Sequence, residues 1–108
     1  MTEEMIIDLA LSFPGTEPHP HFDRIGFKIA GKRMFATYLA KDNSVNIFLT
    51  PPEQKIFCKM HAGIYPVPNK WGENGATTFE LNKVPLEILM EALLSAYNSV
   101  LHSKKYKL

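Results

Sequence analysis

The sequence predicts an α+β two-layer sandwich in which helices cover one face of an antiparallel sheet. Between residues 25 and 50, three short alternating segments are joined by tight turns, which is typical of an antiparallel meander. Near each end, one segment carries apolar residues at helical spacing on a single face. The 108 residues, 45% of them hydrophobic, are enough for one core. The predicted element order is α-β-β-β-α-β-β-α, in a single domain spanning residues 1–108.

The first element is a predicted short amphipathic helix over residues 2–12. Thr2 can serve as its N-cap, since its hydroxyl can accept a hydrogen bond from the first turn. The pair Pro14-Gly15 ends the helix. The segment Gly15–Asp23 contains two prolines and two histidines and is predicted to be a rigid connector.

The predicted meander follows this connector. Its strands are Ile25–Ala30, Arg33–Leu39 and Val45–Thr50, each of which alternates large apolar residues with small or polar ones. Gly31-Lys32 and residues 41–44 supply the two tight turns. The sequence therefore predicts three neighbouring antiparallel strands in the middle of the sheet.

A second helix is predicted to begin at Thr50-Pro51-Pro52-Glu53, which combines an N-cap, prolines in the first turn and a glutamate that closes a capping box. We expect it to run to about His61. Ile64–Pro68 is predicted as a short edge strand, because its two prolines exclude it from the sheet centre. A structured loop over Asn69–Ala76 then leads to the alternating strand Thr77–Leu81.

The last helix has the clearest pattern, an apolar stripe that begins after Pro85 and continues for four turns. Its members are Leu86, Leu89, Met90, Leu93, Leu94, Tyr97, Val100 and Leu101. We expect Leu89, Leu93 and Tyr97 to face the sheet. The expected strand partners are Phe27, Ile29, Val45, Ile47, Phe79 and Leu81.

Composition excludes several classes of protein. Twelve Lys and Arg against eleven Asp and Glu give a net charge of +1, which is far from the strongly basic balance of an obvious nucleic-acid binder. The single cysteine, Cys58, cannot form an internal disulfide. No apolar run approaches the roughly 20 residues of a membrane span, and the N-terminus lacks the pattern of a signal peptide. A cytoplasmic location without membrane association is therefore expected.

The charges are unevenly distributed along the chain. Residues 1–23 contain no Lys or Arg, whereas residues 24–41 contain no acidic residue. The basic residues of this second segment are Arg24, Lys28, Lys32, Arg33 and Lys41. Lys28 is predicted to point away from the core and Lys32 and Arg33 to lie at a hairpin tip, where they could contact phosphates. The simpler interpretation is a solvated hairpin whose charges serve solubility and edge protection.

Four residues, His19, His21, Cys58 and His61, form the one arrangement that resembles a set of metal ligands. We favour a buried or capping thiol and loop histidines, because structural zinc sites usually use more closely spaced cysteine pairs. We also favour a core-facing Cys58 thiol over a catalytic role for this residue. A catalytic nucleophile would need a base within hydrogen-bond reach. The chain also lacks phosphate-loop, nucleophile-elbow and dinucleotide motifs. We therefore expect no enzymatic activity, metal or cofactor.

Trp71 lies in the most unusual loop of the chain, between Lys70 and the glycines Gly72 and Gly75. The favoured interpretation is that the indole packs against the domain and that one of these glycines adopts a positive φ. The alternative is a partly exposed ring beside Lys70 that stacks on a base or contacts a protein partner.

Five short strings occur in order along the chain. They are Leu11-Ser-Phe-Pro14-Gly15-Thr-Glu17, His19-Pro-His21-Phe22, Gly31-Lys32 with Phe35-Ala36, Thr50-Pro51 through Glu53-Gln54, and Trp71-Gly72-x-x-Gly75-x-Thr77. Together they resemble the MmcQ/YjbR family over nearly the whole chain. The resemblance implies a compact sheet with helices on one side, similar to frataxin-type and secretion-chaperone-type folds. It also implies DNA binding through a proposed double-wing motif, and it supplies no catalytic residues.

Two hypotheses about function follow. The first is a small non-enzymatic cytoplasmic module that contacts DNA weakly and without sequence preference. Its contact residues would be Arg24, Lys28, Lys32, Arg33, Lys70 and Trp71. The second is a protein-interaction or small-ligand-binding module that uses the sheet face not covered by helices, where Phe35 or Phe48 is expected to be exposed. In either case a monomer or weak dimer is expected.

Overall fold

The computed structural model describes residues 1–103. The elements in chain order are α1 (Glu3–Leu11), β1 (Thr16–His21), β2 (Arg24–Ile29), β3 (Met34–Leu39), β4 (Ser44–Phe48), α2 (Pro51–Cys58), β5 (Ile64–Pro66), α3 (Lys70–Glu73), β6 (Ala76–Glu80) and α4 (Leu86–Leu101). The strands form one antiparallel sheet in the spatial order β1-β2-β3-β4-β6-β5. The predicted α+β class is confirmed, and so is the meander, which is β2, β3 and β4.

One face of the sheet is covered by α1, α2 and α4. Ile6 of α1, Phe57 of α2 and Leu93 of α4 are buried in a single cluster with inward-facing strand residues such as Phe27 and Ile47. We call the opposite side of the sheet the open face. Because alternate strand residues point to opposite sides of a sheet, the open face is formed by the positions that the core does not use.

Helix α4 packs with the predicted orientation. Leu89, Leu93 and Tyr97 are buried, as are all six predicted strand partners. The buried stripe of α4 differs from the predicted one, because it includes the small residues Ala92 and Ala96. The remaining large members of the predicted stripe are exposed, namely Leu86, Met90, Leu94 and Leu101.

The prediction of a connector over Gly15–Asp23 was wrong, because most of this segment is the edge strand β1, which pairs with β2 along its whole length. Pro18 and Pro20 are compatible with this pairing. They lie two residues apart, so both ring nitrogens face the same side of the strand, and on an edge strand that side has no ladder partner. The two prolines therefore mark a free edge of the sheet.

Several helix and strand bounds differ from those predicted. The capping box at the start of α2 is present, with the Glu53 carboxylate accepting from the Thr50 backbone N–H at 2.9 Å. Helix α2 ends at Cys58, however, so His61 lies beyond it. The predicted loop Asn69–Ala76 contains the short helix α3. Strand β5 lies at the sheet edge as predicted.

Candidate ligand-binding groove on the open face

A polar row crosses the open face from one edge of the sheet to the other. The cross-strand register aligns His19, Gly26, Thr37, Asn46, Thr78 and Tyr65. Residues directly opposite each other in a ladder share a face, so these side chains are neighbours. The Thr78 hydroxyl donates to Asn46 Oδ1 at 2.8 Å. The open face is therefore polar at its centre, whereas the helix-covered face is apolar.

A groove of about 560 Å³ lies on this face, a volume typical of small-molecule sites. It extends from His21 and Arg24 across the middle strands to Trp71 and Asn74, which precede β6. Phe48 and three other apolar side chains, from Met34, Leu49 and Val67, line part of it. Of the residues from 1 to 103, those that line the groove include no Asp or Glu.

Arg24 is held in a fixed position within the groove. Its Nε donates to Thr37 Oγ1 at 2.9 Å, and its Nη2 donates to the Thr37 carbonyl oxygen at 3.2 Å. Burial lowers the pKa of the Arg24 guanidinium, while the nearby carboxylates of Asp23 and Asp42 raise it. The group stays charged near neutral pH, since an arginine side chain is not deprotonated in proteins. A second guanidinium, that of the exposed Arg33, also lines the groove.

Trp71 is 68% exposed and lines the groove, so the prediction that its indole packs against the domain was wrong. The closest approach of this loop to the domain is made by Gly72 instead. A Cβ added at Gly72 would lie 1.7 Å from the Val67 carbonyl oxygen, a distance that only glycine tolerates. The expected positive φ is confirmed at Gly75, where it is +114°.

The loop that carries Trp71 is fixed by side-chain hydrogen bonds. The buried Gln54 of α2 donates from Nε2 to the carbonyl oxygens of Gly72 and Ala76, at 2.9 and 3.0 Å. Asn69 Oδ1 accepts from the Trp71 backbone N–H at 2.9 Å. The exposed indole is thus attached to an ordered backbone. Sequence analysis missed Gln54, although its position three residues before Phe57 places it on the inward side of α2.

Replacing Gln54 with leucine is expected to lower the free energy of unfolding by about 1–3 kcal/mol, because two buried carbonyl oxygens each lose one of their donors. Urea denaturation would measure the loss. The exposed neighbour Lys55 provides the control, and Lys55→Leu is expected to change stability by less than about 0.5 kcal/mol. Equal stability of the two variants would mean that Gln54 does not fix the loop.

Most of the chain matches the model of a known protein family. The model of the family described as YjbR matches residues 11–99. The chain belongs to the YjbR family. The crystal structure of a protein from Pseudomonas syringae is similar to it, with a TM-score of 0.73 and 19% sequence identity, over 93% of this chain and 99% of that chain. At this identity the likeness concerns the fold alone, and comparison with curated proteins found no match.

In this YjbR-family chain, three of the six predicted contact residues lie at the groove, namely Arg24, Arg33 and Trp71. The other three are Lys28, Lys32 and Lys70. Lys28 lies 3.9 Å from a Glu17 carboxylate oxygen, and Lys32 donates to the Ser103 carbonyl oxygen at 3.1 Å. Lys70 is exposed at the first residue of α3.

The two phenylalanines expected on the open face have different positions. Phe48 is half-buried rather than exposed, and it lines the groove. Phe35 is fully buried and makes edge contacts with the rings of Phe13 and Tyr97, so its predicted exposure was wrong. A register shift between Phe27 and Lys28 disturbs the alternation of β2 with β3, which explains the error.

The histidines and the cysteine of the YjbR-family chain do not meet. His19 and His21 belong to edge strand β1, whereas Cys58 ends the helix that packs on the opposite edge strand, β5. Burial raises the pKa of the Cys58 thiol, and His61 Nδ1 accepts from the Gly63 backbone N–H at 2.9 Å. Within residues 1–103, no group of three or more His, Cys, Asp or Glu side chains could hold a metal ion.

Among the helices of residues 1–103, none has the length and apolar content needed to cross a membrane.

Proposed function

We propose that this YjbR-family chain is a binding protein without catalytic activity. Its binding site is the open-face groove, and its ligand is a small anion that contains a planar ring. One observation carries the proposal, the exposed position of Trp71 on a loop that is hydrogen-bonded to the body of the domain. Tryptophan normally gains much of its stabilising effect by burial, so an ordered but exposed indole favours contact with a ligand.

The charge of the ligand follows from the groove. Arg24 and Arg33 contribute two guanidinium groups, and the described residues that line the groove include no carboxylate, although those of Asp23 and Asp42 lie near Arg24. Guanidinium groups bind carboxylates and phosphates through paired hydrogen bonds, and such charged hydrogen bonds are roughly twice as strong as neutral ones. An anionic ligand is therefore favoured over a neutral or cationic one.

The absence of catalysis is proposed from the groups that face the ligand. Acid–base or nucleophilic catalysis requires a reactive side chain with a partner that activates it. The Thr37 hydroxyl instead accepts from a guanidinium, which cannot act as a base. His21, the histidine among the described groove residues, packs its ring edge-on against that of Phe22, with the ring centroids 5.1 Å apart.

A titration with anilinonaphthalene sulfonate, an aromatic anion, tests the proposal. Trp71 is the single tryptophan of the chain, so its fluorescence reports binding at the groove. Replacing Arg24 and Arg33 together with glutamine is expected to weaken binding at least about tenfold, since each charged hydrogen bond contributes about 1.5–3 kcal/mol. The matched control is the replacement of Lys28 and Lys32 with glutamine, which should leave the affinity within about twofold.

Circular dichroism would establish that each double variant is folded, and Arg33→Gln alone provides a second variant whose side chain is exposed in the protein. An equal loss of affinity in the arginine and lysine double variants would contradict the proposal. It would show that the dye responds to overall charge rather than to the groove.

Weak binding of DNA without sequence preference is a second candidate function. It is favoured by the exposed Trp71 beside the exposed Lys70, because aromatic rings and neighbouring cations hold single strands by stacking and phosphate contact. The strand would lie along the open face. Lys28 and Lys32 are less favourable contacts, since both already have partners within the chain.

If a single strand binds through Arg24, Arg33 and Lys70, the slope of log affinity against log salt should be about −2, at about 0.7 for each phosphate contact. Neutralising Arg24 and Arg33 should reduce its magnitude by about 1.4, and neutralising Lys28 and Lys32 should leave it nearly unchanged. Fluorescence anisotropy of a labelled oligothymidylate would measure both slopes. An unchanged slope in the arginine variant would place the contact elsewhere, and no binding at low salt would remove this candidate.

A further inference from the structure

Four hydrogen-bond acceptors along the groove already have donors. Thr37 Oγ1 and the Thr37 carbonyl oxygen both accept from Arg24. Asn46 Oδ1 accepts from the Thr78 hydroxyl, and Asn69 Oδ1 accepts from the Trp71 backbone N–H. Each of these acceptors therefore contributes less to the binding of a ligand that carries donors.

The donors of the same side chains remain available. Asn46 Nδ2, Asn69 Nδ2 and Arg24 Nη1 make no hydrogen bond within residues 1–103, and neither does the guanidinium of Arg33. An amide nitrogen has two N–H groups and a guanidinium has five, so these side chains offer more free donors than free acceptors. A ligand that fits the groove must supply acceptor atoms.

We propose that the ligand is a planar heterocycle with ring carbonyl oxygens and one attached carboxylate or phosphate. This proposal rests on the proposed function and specifies its ligand. The ring stacks on Trp71, the anionic group is bound by the guanidinium groups, and the ring carbonyl oxygens accept from the amides of Asn46 and Asn69. A ring that presents amino groups would leave these amide donors without partners, which costs affinity in a desolvated site.

The size of the groove agrees with a ligand of one ring system. A volume of about 560 Å³ lies within the range of sites that enclose one small organic molecule. The residues that would bind the ring and the anion line the same groove.

Isothermal titration with four matched probes tests the proposal. Orotate carries two ring carbonyls and a carboxylate, uridine monophosphate carries the same ring carbonyls and a phosphate, uracil lacks the anion, and benzoate lacks the carbonyls. Orotate or uridine monophosphate is expected to bind at least about tenfold more tightly than uracil or benzoate, which corresponds to about 1.4 kcal/mol. The relative affinities of the first two distinguish a carboxylate ligand from a phosphate ligand.

Benzoate binding as tightly as orotate would overturn this proposal and leave the proposed function standing, because the groove would then select a ring and a charge alone. Failure of all four probes and of anilinonaphthalene sulfonate would contradict the proposed function itself. Failure of the four probes with retained dye binding would overturn the ligand assignment only.

A variant of Asn46 tests the donor argument directly. Asn46→Leu removes the free amide donor without changing the charge, and it is expected to weaken binding of the tightest probe at least about tenfold. The control Asn98→Leu makes the same substitution on the exposed side of α4 and should leave the affinity within about twofold. Equal affinities of the two variants would overturn the proposal.

Discussion

Replacing Leu93 with alanine is expected to lower the free energy of unfolding by about 2–5 kcal/mol, the cost of removing a buried leucine side chain and leaving a cavity. Leu93 is fully buried, and its helix packs across β2, β3 and β4. The neighbouring core is fully packed with residues such as Phe27 and Ile47, so little collapse into the cavity is expected. Urea denaturation would measure the effect.

The next residue on the same helix provides the control. Leu94 has the same side chain but is 47% exposed, and Leu94→Ala is expected to change stability by about 0.5 kcal/mol or less. Both variants have the same change in helix propensity, so the difference between them isolates burial. If Leu93→Ala cost no more than Leu94→Ala, the orientation assigned to α4 would be wrong.

Replacing Trp71 with alanine is expected to weaken the binding of anilinonaphthalene sulfonate by about 10- to 100-fold, because stacking on an aromatic side chain contributes about 1–3 kcal/mol. The free energy of unfolding should change by about 0.5 kcal/mol or less, since the indole is exposed and the loop is held by backbone and Gln54 contacts. Dye fluorescence and urea denaturation of the same preparation would measure the two quantities.

The control for this prediction is Trp71→Phe, which retains an aromatic ring and is expected to bind within about fivefold of the native protein. A loss of stability of about 3 kcal/mol or more in Trp71→Ala with unchanged affinity would support the packed indole instead. Such a result would remove the observation on which the proposed function depends.

The helices and strands that were predicted correctly are determined by residues close together in the sequence. The capping box at Thr50 and Glu53 involves residues three apart, and the strands of the meander alternate over six residues or fewer. Strand β1 was missed because its ladder partner, β2, decides whether a segment with Pro18 and Pro20 is extended or turned. The prolines alone fit either structure.

The candidate site was predicted in part, for similar reasons. Trp71 stood out by its residue type, but its exposure depends on Gly72, which contacts the Val67 backbone in its place. Local sequence patterns also do not predict which groups the basic side chains contact. Lys32 donates to Ser103, 71 residues away in the chain, whereas Arg33, the next residue, lines the groove.

The side chains that would bind a ligand on the open face come from separate segments of the chain, and no single sequence motif contains them. Arg24 follows the β1–β2 turn, Asn46 lies in the middle of β4 and Trp71 lies in α3. The antiparallel register places the first two on the same face, and the buried amide of Gln54 holds the third beside them. Such a site becomes visible only when the strands are paired.

Chemical-shift mapping by NMR during a titration with anilinonaphthalene sulfonate tests the open-face groove most directly. The account predicts that the largest changes occur at the Trp71 indole N–H, the Asn46 side-chain amide and the Thr37 backbone amide, all at the groove. Changes confined to the hairpin around Lys32, or to the exposed stripe of α4 that includes Leu94, would contradict it.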